Sequence, residues 1–141
     1  MSIIRAGDSL LESVREVLPD IPVGKILIQR DESTALPKLY YSKFPPRIKE
    51  FTNVLICDPM LATGGSVICA IGELLKVGVE EERITFINVV CCLEGLKAVL
   101  EKHPAVRIVS CEVDAGIDEN SYICPGLGDY GDRFFNTVPE N

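Results

Sequence analysis

The sequence lacks the features by which several common classes of protein are recognised. It has no apolar run that approaches the roughly 20 residues needed for a membrane-spanning helix. It also has no excess of basic residues, because 14 Lys and Arg stand against 21 Asp and Glu and give a net charge of −7. Surfaces that bind nucleic acid select for an excess of Lys and Arg. We therefore expect neither a membrane nor a nucleic acid among the partners.

The cysteines do not form the spacings of a metal site or a disulfide framework. Six are present, but no two form a C-x-x-C pair, and the sequence has one histidine, His103. Cys57, Cys91, Cys92 and Cys111 lie in apolar, strand-like runs, where reduced thiols behave as small hydrophobic side chains. The start of the sequence shows no secretory signal pattern. We expect reduced thiols and a cytoplasmic location.

What is present is the pattern of one globular α/β domain. The chain has 141 residues, of which 47% are hydrophobic and 25% charged, without internal repeats. Apolar runs alternate with helical patterns, which predicts strands at residues 1–4, 23–29, 39–44, 54–57, 84–92 and 107–113. Since these runs are apolar almost throughout, they favour a parallel sheet covered by helices on both faces. The first helix is predicted to run to Leu18, with Asp8 or Ser9 as its N-cap, and Gly78 to follow the helix that ends near Lys76.

A polar, turn-prone segment separates the second and third predicted strands. It runs from Arg30 to Pro37, and Pro45 and Pro46 follow the third strand. We predict a hairpin arm or mobile flap over about residues 30–45.

The stretch from Phe51 to Lys76, FTNVLICDPMLATGGSVICAIGELLK, carries the strongest local signal. An apolar run, 54–57, ends at Asp58 and Pro59, and a short turn leads to T-G-G-S at 63–66. Positions 67, 68, 71, 74 and 75 then place apolar side chains on one face of a helix. The predicted order is strand, carboxylate, small-residue turn and helix N-terminus.

That order suits the binding of a phosphate. The first amides of a helix have no partner within it, and the helix dipole places partial positive charge there. Gly64 and Gly65 allow the main chain to approach an anion closely, and the hydroxyls of Thr63 and Ser66 can donate to phosphate oxygens. Asp58 would bind sugar hydroxyls or a metal-held water instead. No Lys follows the glycines, so this is not a Walker loop; a simple glycine turn capped by Ser66 is the alternative.

The composition changes from Asp114 onwards to Asp, Asn, Gly and Pro. Residues 126–131, GLGDYG, have the spacing G-x-G-x-x-G. A dinucleotide-binding fingerprint must follow a buried strand and open a long helix. Here Pro125 precedes the glycines and ten residues follow them, so we reject a nicotinamide site.

Two of these segments resemble one enzyme family. Residues 58–66, DPMLATGGS, resemble the motif by which uracil phosphoribosyltransferases bind 5-phospho-α-D-ribose 1-diphosphate (PRPP). Pro59 stands where many other phosphoribosyltransferases have a second acid, which is the variant of the uracil enzymes. Residues 122–133, YICPGLGDYGDR, resemble the uracil-binding signature of the same family, and the resemblance extends over essentially the whole chain.

The resemblance implies a fold and a set of site residues. The fold would be that of a type I phosphoribosyltransferase in a single domain over residues 1–141: an open, mainly parallel sheet with helices on both faces, a protruding β-arm, and a C-terminal base-binding hood at about 114–135. Uracil would be held largely by main-chain groups near Ile123, Gly128, Asp129 and Tyr130. The catalytic residues implied are Arg5, Arg30 and Asp58. The PRPP-binding residues implied are Arg5, Arg30, Asp58, Pro59, Met60, Leu61, Ala62, Thr63, Gly64, Gly65, Ser66 and Asp129.

The resemblance also implies a reaction, in which uracil N1 attacks the anomeric carbon of PRPP and gives UMP and diphosphate in pyrimidine salvage. Two arginines would grip the diphosphate, because a guanidinium pairs with two oxygens at once. Mg²⁺ would arrive on PRPP without direct protein ligands. The partners implied are uracil, PRPP and UMP, a second copy of the chain in a homodimer or larger homo-oligomer, and GTP as an effector.

One departure from the family pattern leaves alternatives open. Family members carry a substantial segment before the loop that corresponds to Arg5–Gly7, and this sequence has none there. The chain would then be a shortened or degenerate member that binds a nucleotide without turnover, or one that completes its sheet against another subunit. A phosphoribosyltransferase for another base is disfavoured by residues 122–133.

Overall fold

The computed structural model describes residues 1–31 and 36–138, with only the backbone of Arg30. Residues 32–35, at the tip of the predicted arm, lie outside the described part. The strands are β1 Ser2–Ile4, β2 Lys25–Arg30, β3 Pro37–Lys43, β4 Val54–Cys57, β5 Met60–Leu61, β6 Ile84–Cys92, β7 Arg107–Asp114, β8 Gly116–Ile117 and β9 Ile123–Cys124. The helices are α1 Gly7–Val17, α2 Gly65–Lys76, α3 Leu93–Lys102 and α4 Tyr130–Phe135, and single 3-10 turns lie at Ile48–Glu50 and Glu81–Arg83.

A seven-stranded sheet forms the centre of the fold. Its order is β3-β2-β1-β4-β6-β7, and β5 pairs with β6 beyond the end of β4. Every pair in it is parallel except β2 with β3, which form the predicted antiparallel arm. The prediction of a mainly parallel α/β sheet is therefore confirmed.

The helices lie on both faces of this sheet. The connection from β1 to β2 crosses the sheet in one direction and that from β4 to β6 in the other, so right-handed crossovers place α1 and α2 on opposite faces. The main core lies on the α2 face, where Ile71, Leu74 and Val99 pack against strand residues such as Ile56 and Phe86. On the other face, α1 contacts β1 and β4.

The edge strand β7 departs from the expectation of a sheet buried on both faces. Val109 is 57% exposed and Val113 48% exposed, and Cys111 between them is exposed as well. The expectation that Cys111 is a buried small hydrophobe is wrong, because α1 covers the sheet near β1 and β4 and does not extend to β7. Cys57, Cys91 and Cys92 are buried as expected.

The N-terminus of α1 is also not capped as predicted. The helix begins at Gly7 after Ala6, and neither Asp8 nor Ser9 caps it. The Ser9 hydroxyl donates to the Ala6 carbonyl at 2.8 Å. The Asp8 carboxylate accepts instead from Ser2 and from Lys25 Nζ, the latter at 2.8 Å. The Asp8 side chain therefore binds residues outside the helix, Ser2 and Lys25, and does not cap it.

The end of α2 has the predicted glycine. Gly78 has φ +87°, its N–H donates to Leu75 at 3.0 Å, and the N–H of Val79 donates to Leu74 at 3.1 Å. This pair of bonds is a Schellman motif, which requires the left-handed conformation that glycine adopts without a steric penalty.

His103 has a structural role at the end of α3. Its Nδ1 lies 3.0 Å from Glu81 Oε2, and the Ala105 amide donates to Glu81 Oε1 at 2.9 Å. Burial acts to raise the pKa of Glu81, but these hydrogen bonds outweigh it and leave that pKa lowered. The single histidine therefore joins α3 to the turn before β6.

No helix among the described residues is long and apolar enough to span a membrane.

Candidate active site

The segment between β4 and α2 has the predicted order of strand, acid, turn and helix. Gly64 has φ +82° and stands immediately before α2, which begins at Gly65. No side-chain hydrogen bond caps the helix, so the alternative of a turn capped by Ser66 is wrong. The amides of Gly65, Ser66 and Val67 are the first of α2 and have no partner further back in the helix. All three residues line one pocket.

The conformation of Gly64 gives a testable prediction for stability. A Cβ there would lie 3.2 Å from both the Gly95 carbonyl oxygen and Val99 Cγ2, at a positive φ. We expect Gly64→Ala to lower the free energy of unfolding by about 1–2 kcal/mol. The matched control is Gly72→Ala in the middle of α2, where a Cβ meets nothing within 4 Å and helix propensity should raise stability by about 0.5–1 kcal/mol. Urea unfolding measures both, and equal shifts in the two variants would contradict the prediction.

Asp58 follows β4 directly and faces the same pocket. Its side chain is partly exposed there, while protein surrounds it on its other sides. Burial raises the pKa of Asp58 to about 7, against a smaller lowering effect of the Met60 amide. The folded chain therefore keeps the proton of this carboxyl to a higher pH than an exposed aspartate does.

Pro59, predicted to contact PRPP, instead lies in the interior. Its side chain is fully buried, and it is absent from the lining of the pocket. Its carbonyl accepts the amides of Val89 at 2.9 Å and Val90 at 3.0 Å. Pro59 fixes the start of the phosphate loop, residues 58–66, against β6.

The uracil loop, residues 122–131, is attached to the sheet by one buried side chain. Ile123 is 4% exposed and packs with Val90 and Cys92 at the end of β6. It belongs to β9, which pairs antiparallel with β8. The Asp114 carboxylate accepts the Gly126 amide at 2.8 Å, which connects the loop to the end of β7.

The second half of this loop is held by α4 and α1. The Arg133 guanidinium donates to the Leu127 carbonyl at 2.6 Å. Asp129 caps α4 by accepting the Asp132 amide at 2.8 Å. The Ser9 and Tyr130 hydroxyl oxygens lie 3.1 Å apart, and because the Ser9 proton is donated to the Ala6 carbonyl, Tyr130 is the donor of this pair. These contacts hold a glycine-rich loop in one conformation.

Both loops line a single open pocket of about 380 Å³. It contains most of the residues predicted from the sequence: Asp58, Met60, Leu61, Ala62, Thr63, Gly64, Gly65, Ser66, Ile123, Gly128, Asp129 and Tyr130. It also contains residues not singled out as site residues: Ala6, Val67, Asn120, Ser121, Tyr122 and Gly131. Tyr122 and Gly131 lie within the signature at 122–133, and Ala6 lies in the Arg5–Gly7 loop. Asn120 and Ser121 belong to a polar turn without a motif.

Arg5, one of the two predicted arginines, does not line this pocket. Arg5 Nη2 lies 2.5 Å from Asp132 Oδ1, Arg5 Nη1 donates to Thr137 at 2.7 Å, and the guanidinium lies 5.5 Å from the centre of the Phe135 ring. The hydrogen bonds from Arg5 and then Thr137 lower the pKa of Asp132. The side chain of Arg30 is outside the described part, although its backbone pairs with Pro37, and Pro37 lies beside Gly65 at the phosphate loop.

Comparison with known proteins identifies the family. A sequence model of uracil phosphoribosyltransferase matches residues 1–137. The uracil phosphoribosyltransferase of Saccharomyces cerevisiae is 52% identical over 135 residues, which are 96% of this chain and 62% of that protein. That of Dictyostelium discoideum is 52% identical over 137 residues, or 97% of this chain and 63% of the relative. The chain belongs to the uracil phosphoribosyltransferase family.

Solved structures share the fold of this chain. An Aquifex aeolicus protein superposes with a TM-score of 0.86 at 38% identity, over 99% of this chain and 65% of that one. A purine phosphoribosyltransferase from Pyrococcus horikoshii has a TM-score of 0.57 at 18% identity, over 82% of this chain and 67% of that one, and shows a shared fold. The family resemblance and the fold predicted from the sequence are confirmed. The chain spans 62% to 63% of the length of these two curated relatives.

Proposed function

We propose that the chain forms UMP and diphosphate from uracil and PRPP. The observation that carries this proposal is the single pocket lined by both family motifs, the phosphate loop on one side and the uracil loop on the other. A transferase that joins a base to a ribose phosphate needs these two sites within one cavity. The reaction requires no covalent nucleophile, because positioning and charge stabilisation suffice for a displacement at the anomeric carbon.

In this proposal the phosphate loop binds the ribose 5-phosphate half of PRPP. The free amides at the start of α2 and the hydroxyls of Thr63 and Ser66 bind the 5′-phosphate. Asp58, at the end of β4, accepts hydrogen bonds from ribose hydroxyls. Its carboxylate also stabilises the positive charge that develops on the sugar ring.

The uracil loop binds the base. Uracil presents two carbonyls and two N–H groups in one plane, which main-chain N–H and C=O groups can pair edge-on. Gly128 has φ +77° and a Cβ there would meet nothing within 4 Å, so the backbone is open to a ligand at that point. We assign the base to the groups of Ile123, Gly128, Asp129 and Tyr130.

Magnesium fits this pocket as a group carried by the substrate. Among the residues that the structure describes, those that line the pocket include no Lys, Arg or His, so this lining offers amides, hydroxyls and a helix dipole against the charge of PRPP. Within residues 1–31 and 36–138, no group of three His, Cys, Asp or Glu is suited to hold a metal. Asp58 and Asp129 could bind waters of a Mg²⁺ held by the diphosphate. When bound, the ion would reduce the negative charge of the leaving diphosphate.

UMP formation from uracil, PRPP and Mg²⁺ by the purified chain tests the proposal. We expect turnover with uracil and none with adenine, since the base is matched by the uracil loop. Binding of UMP without turnover would instead identify a non-catalytic member of the family. GTP added to the same assay tests the effector role.

We also propose that the chain works as a homo-oligomer. Large apolar side chains are exposed on β7 and on the arm, where Tyr40 is 53% and Tyr41 50% exposed. Light scattering across a dilution series would give the mass, and a monomer at assay concentration would contradict the proposal.

A further inference from the structure

The junction between β6 and α3 lies behind both loops of the pocket. We propose that Cys92 and Gly95 at this junction are positioning residues that set the distance between bound ribose phosphate and bound uracil. The inference rests on the proposed function, since it assigns these two ligands to the two loops. Neither residue lines the pocket itself.

Gly95, in the first turn of α3, lies directly against the phosphate loop. A Cβ at this position would lie 2.5 Å from the Ala62 carbonyl oxygen and 2.8 Å from that of Leu61. Conversely, a Cβ at Gly64, in the phosphate loop, would lie 3.2 Å from the Gly95 carbonyl oxygen. The two backbones are therefore in contact without intervening side chains, an approach that only glycine permits. The position of α3 fixes the position of the loop.

Cys92 contacts both loops at once. Its side chain is 0% exposed and packs with Ile123, the residue that attaches the uracil loop to the sheet. Its thiol donates to the Ala62 carbonyl, with an Sγ–O distance of 3.0 Å. One side chain thus connects a main-chain group of the phosphate loop with the buried anchor of the uracil loop.

The element that carries these residues is well fixed in the fold. β6 is paired with β4 and β5 on one side and with β7 on the other, and its residues are mostly buried. A reaction between two bound substrates depends on their separation, and a displacement of about 1 Å can reduce the rate about a hundredfold. A rigid central strand is a suitable reference for that separation.

The first test is Gly95→Ala, with Gly72→Ala as the matched control. The added methyl group must displace the carbonyls of Leu61 and Ala62, so we expect kcat to fall about tenfold, with a rise in KM for PRPP and a smaller change in KM for uracil. Ribose 5-phosphate affinity, measured by calorimetry, should fall by a similar factor. The control adds the same methyl group in open space and should leave both constants unchanged.

The second test is Cys92→Ala, with Cys111→Ala on the exposed edge strand as its control. Because Cys92 contacts both loops, we expect KM to rise severalfold for both PRPP and uracil. Cys92→Ser, which keeps a donor near Ala62, should recover part of the PRPP effect. A purely structural role would lower the melting temperature of the variants and leave the KM values unchanged.

The outcomes separate this inference from the proposed function. Active wild type with unchanged kcat and unchanged KM values in Gly95→Ala and Cys92→Ala would overturn the inference and leave the proposed function in place. Wild type that neither forms UMP nor binds ribose 5-phosphate would overturn both. If Gly95→Ala does not fold, as judged by circular dichroism, the KM values of Cys92→Ala decide.

Discussion

Asp58→Asn is expected to reduce UMP formation by about a hundredfold or more while making the folded chain more stable at about pH 8. The loss of activity follows from the assigned role. An amide of the same size cannot supply the negative charge that stabilises an oxocarbenium-like transition state. It also replaces two acceptor oxygens with one acceptor and one donor, so a ribose hydroxyl loses a partner.

The gain in stability follows from the pKa of the same group. Burial raises the pKa of Asp58 from 3.8 to about 7, so the folded state holds its proton more tightly than the unfolded state does. Stability therefore falls as the pH rises from about 4 to about 7, and above that range the folded chain keeps a desolvated charge. Asn carries no charge at any pH. The stability gained by replacing Asp58 with Asn is therefore largest above pH 7 and disappears as the pH falls towards 4.

The size of this gain is limited by the exposure of the side chain to the pocket. For a fully enclosed group, a rise in pKa from 3.8 to about 7 would lower the free energy of unfolding above pH 7 by about 4 kcal/mol. With solvent on the pocket side, we expect about 1–2 kcal/mol. Urea unfolding at about pH 8 and pH 5 measures the gain and its loss with pH.

The control for this variant is Asp20→Asn, because Asp20 is exposed after α1 and distant in sequence from both loops. It should leave activity and stability unchanged. If Asp58→Asn instead loses activity and stability together, the residue holds the fold rather than the substrate.

The phosphate loop could be predicted from the sequence because each part of it depends on local chemistry. Val54–Cys57 are apolar and end at an acid, Gly64 needs positive φ, and the apolar positions after Ser66 have helical spacing. The parallel sheet could also be predicted, since strands buried on both faces are apolar almost throughout, as β6 is. Each of these signals can be recognised in a short, continuous stretch of sequence.

The contacts that complete the site depend on residues far apart in the chain, which no local pattern reveals. Asp8 has the type and position of a helix cap but accepts from Lys25. Cys92 looks like any buried thiol until its distance from Ala62 is known. Arg5 resembles a diphosphate ligand, yet its partner is Asp132, separated from it by 127 positions. Sequence motifs thus predicted the residues that line the pocket more completely than the residues that support it.

The contact between Arg5 and Asp132 leads to a prediction that substitutions at these two residues have opposite effects on the use of PRPP. Arg5→Lys should lower kcat/KM for PRPP about 10- to 100-fold, because an ammonium cannot pair with two diphosphate oxygens at once. Asp132→Asn should instead lower KM for PRPP about two- to fivefold. The Asp132 carboxylate lies 2.5 Å from Arg5 Nη2 in the free chain, so it would compete with a bound diphosphate for the same guanidinium.

A control separates this competition from the general effect of removing a negative charge. Glu119→Gln changes the net charge by the same amount at an exposed position and should leave KM for PRPP unchanged. If long-range charge were the cause, raised salt would screen the effect, and KM for PRPP in Asp132→Asn would return towards the wild-type value. A rise in KM for PRPP in Asp132→Asn would show that the carboxylate orients Arg5 towards the diphosphate. In that case the contact with α4 is part of the binding site, because the guanidinium must then bridge Asp132 and the diphosphate rather than exchange between them.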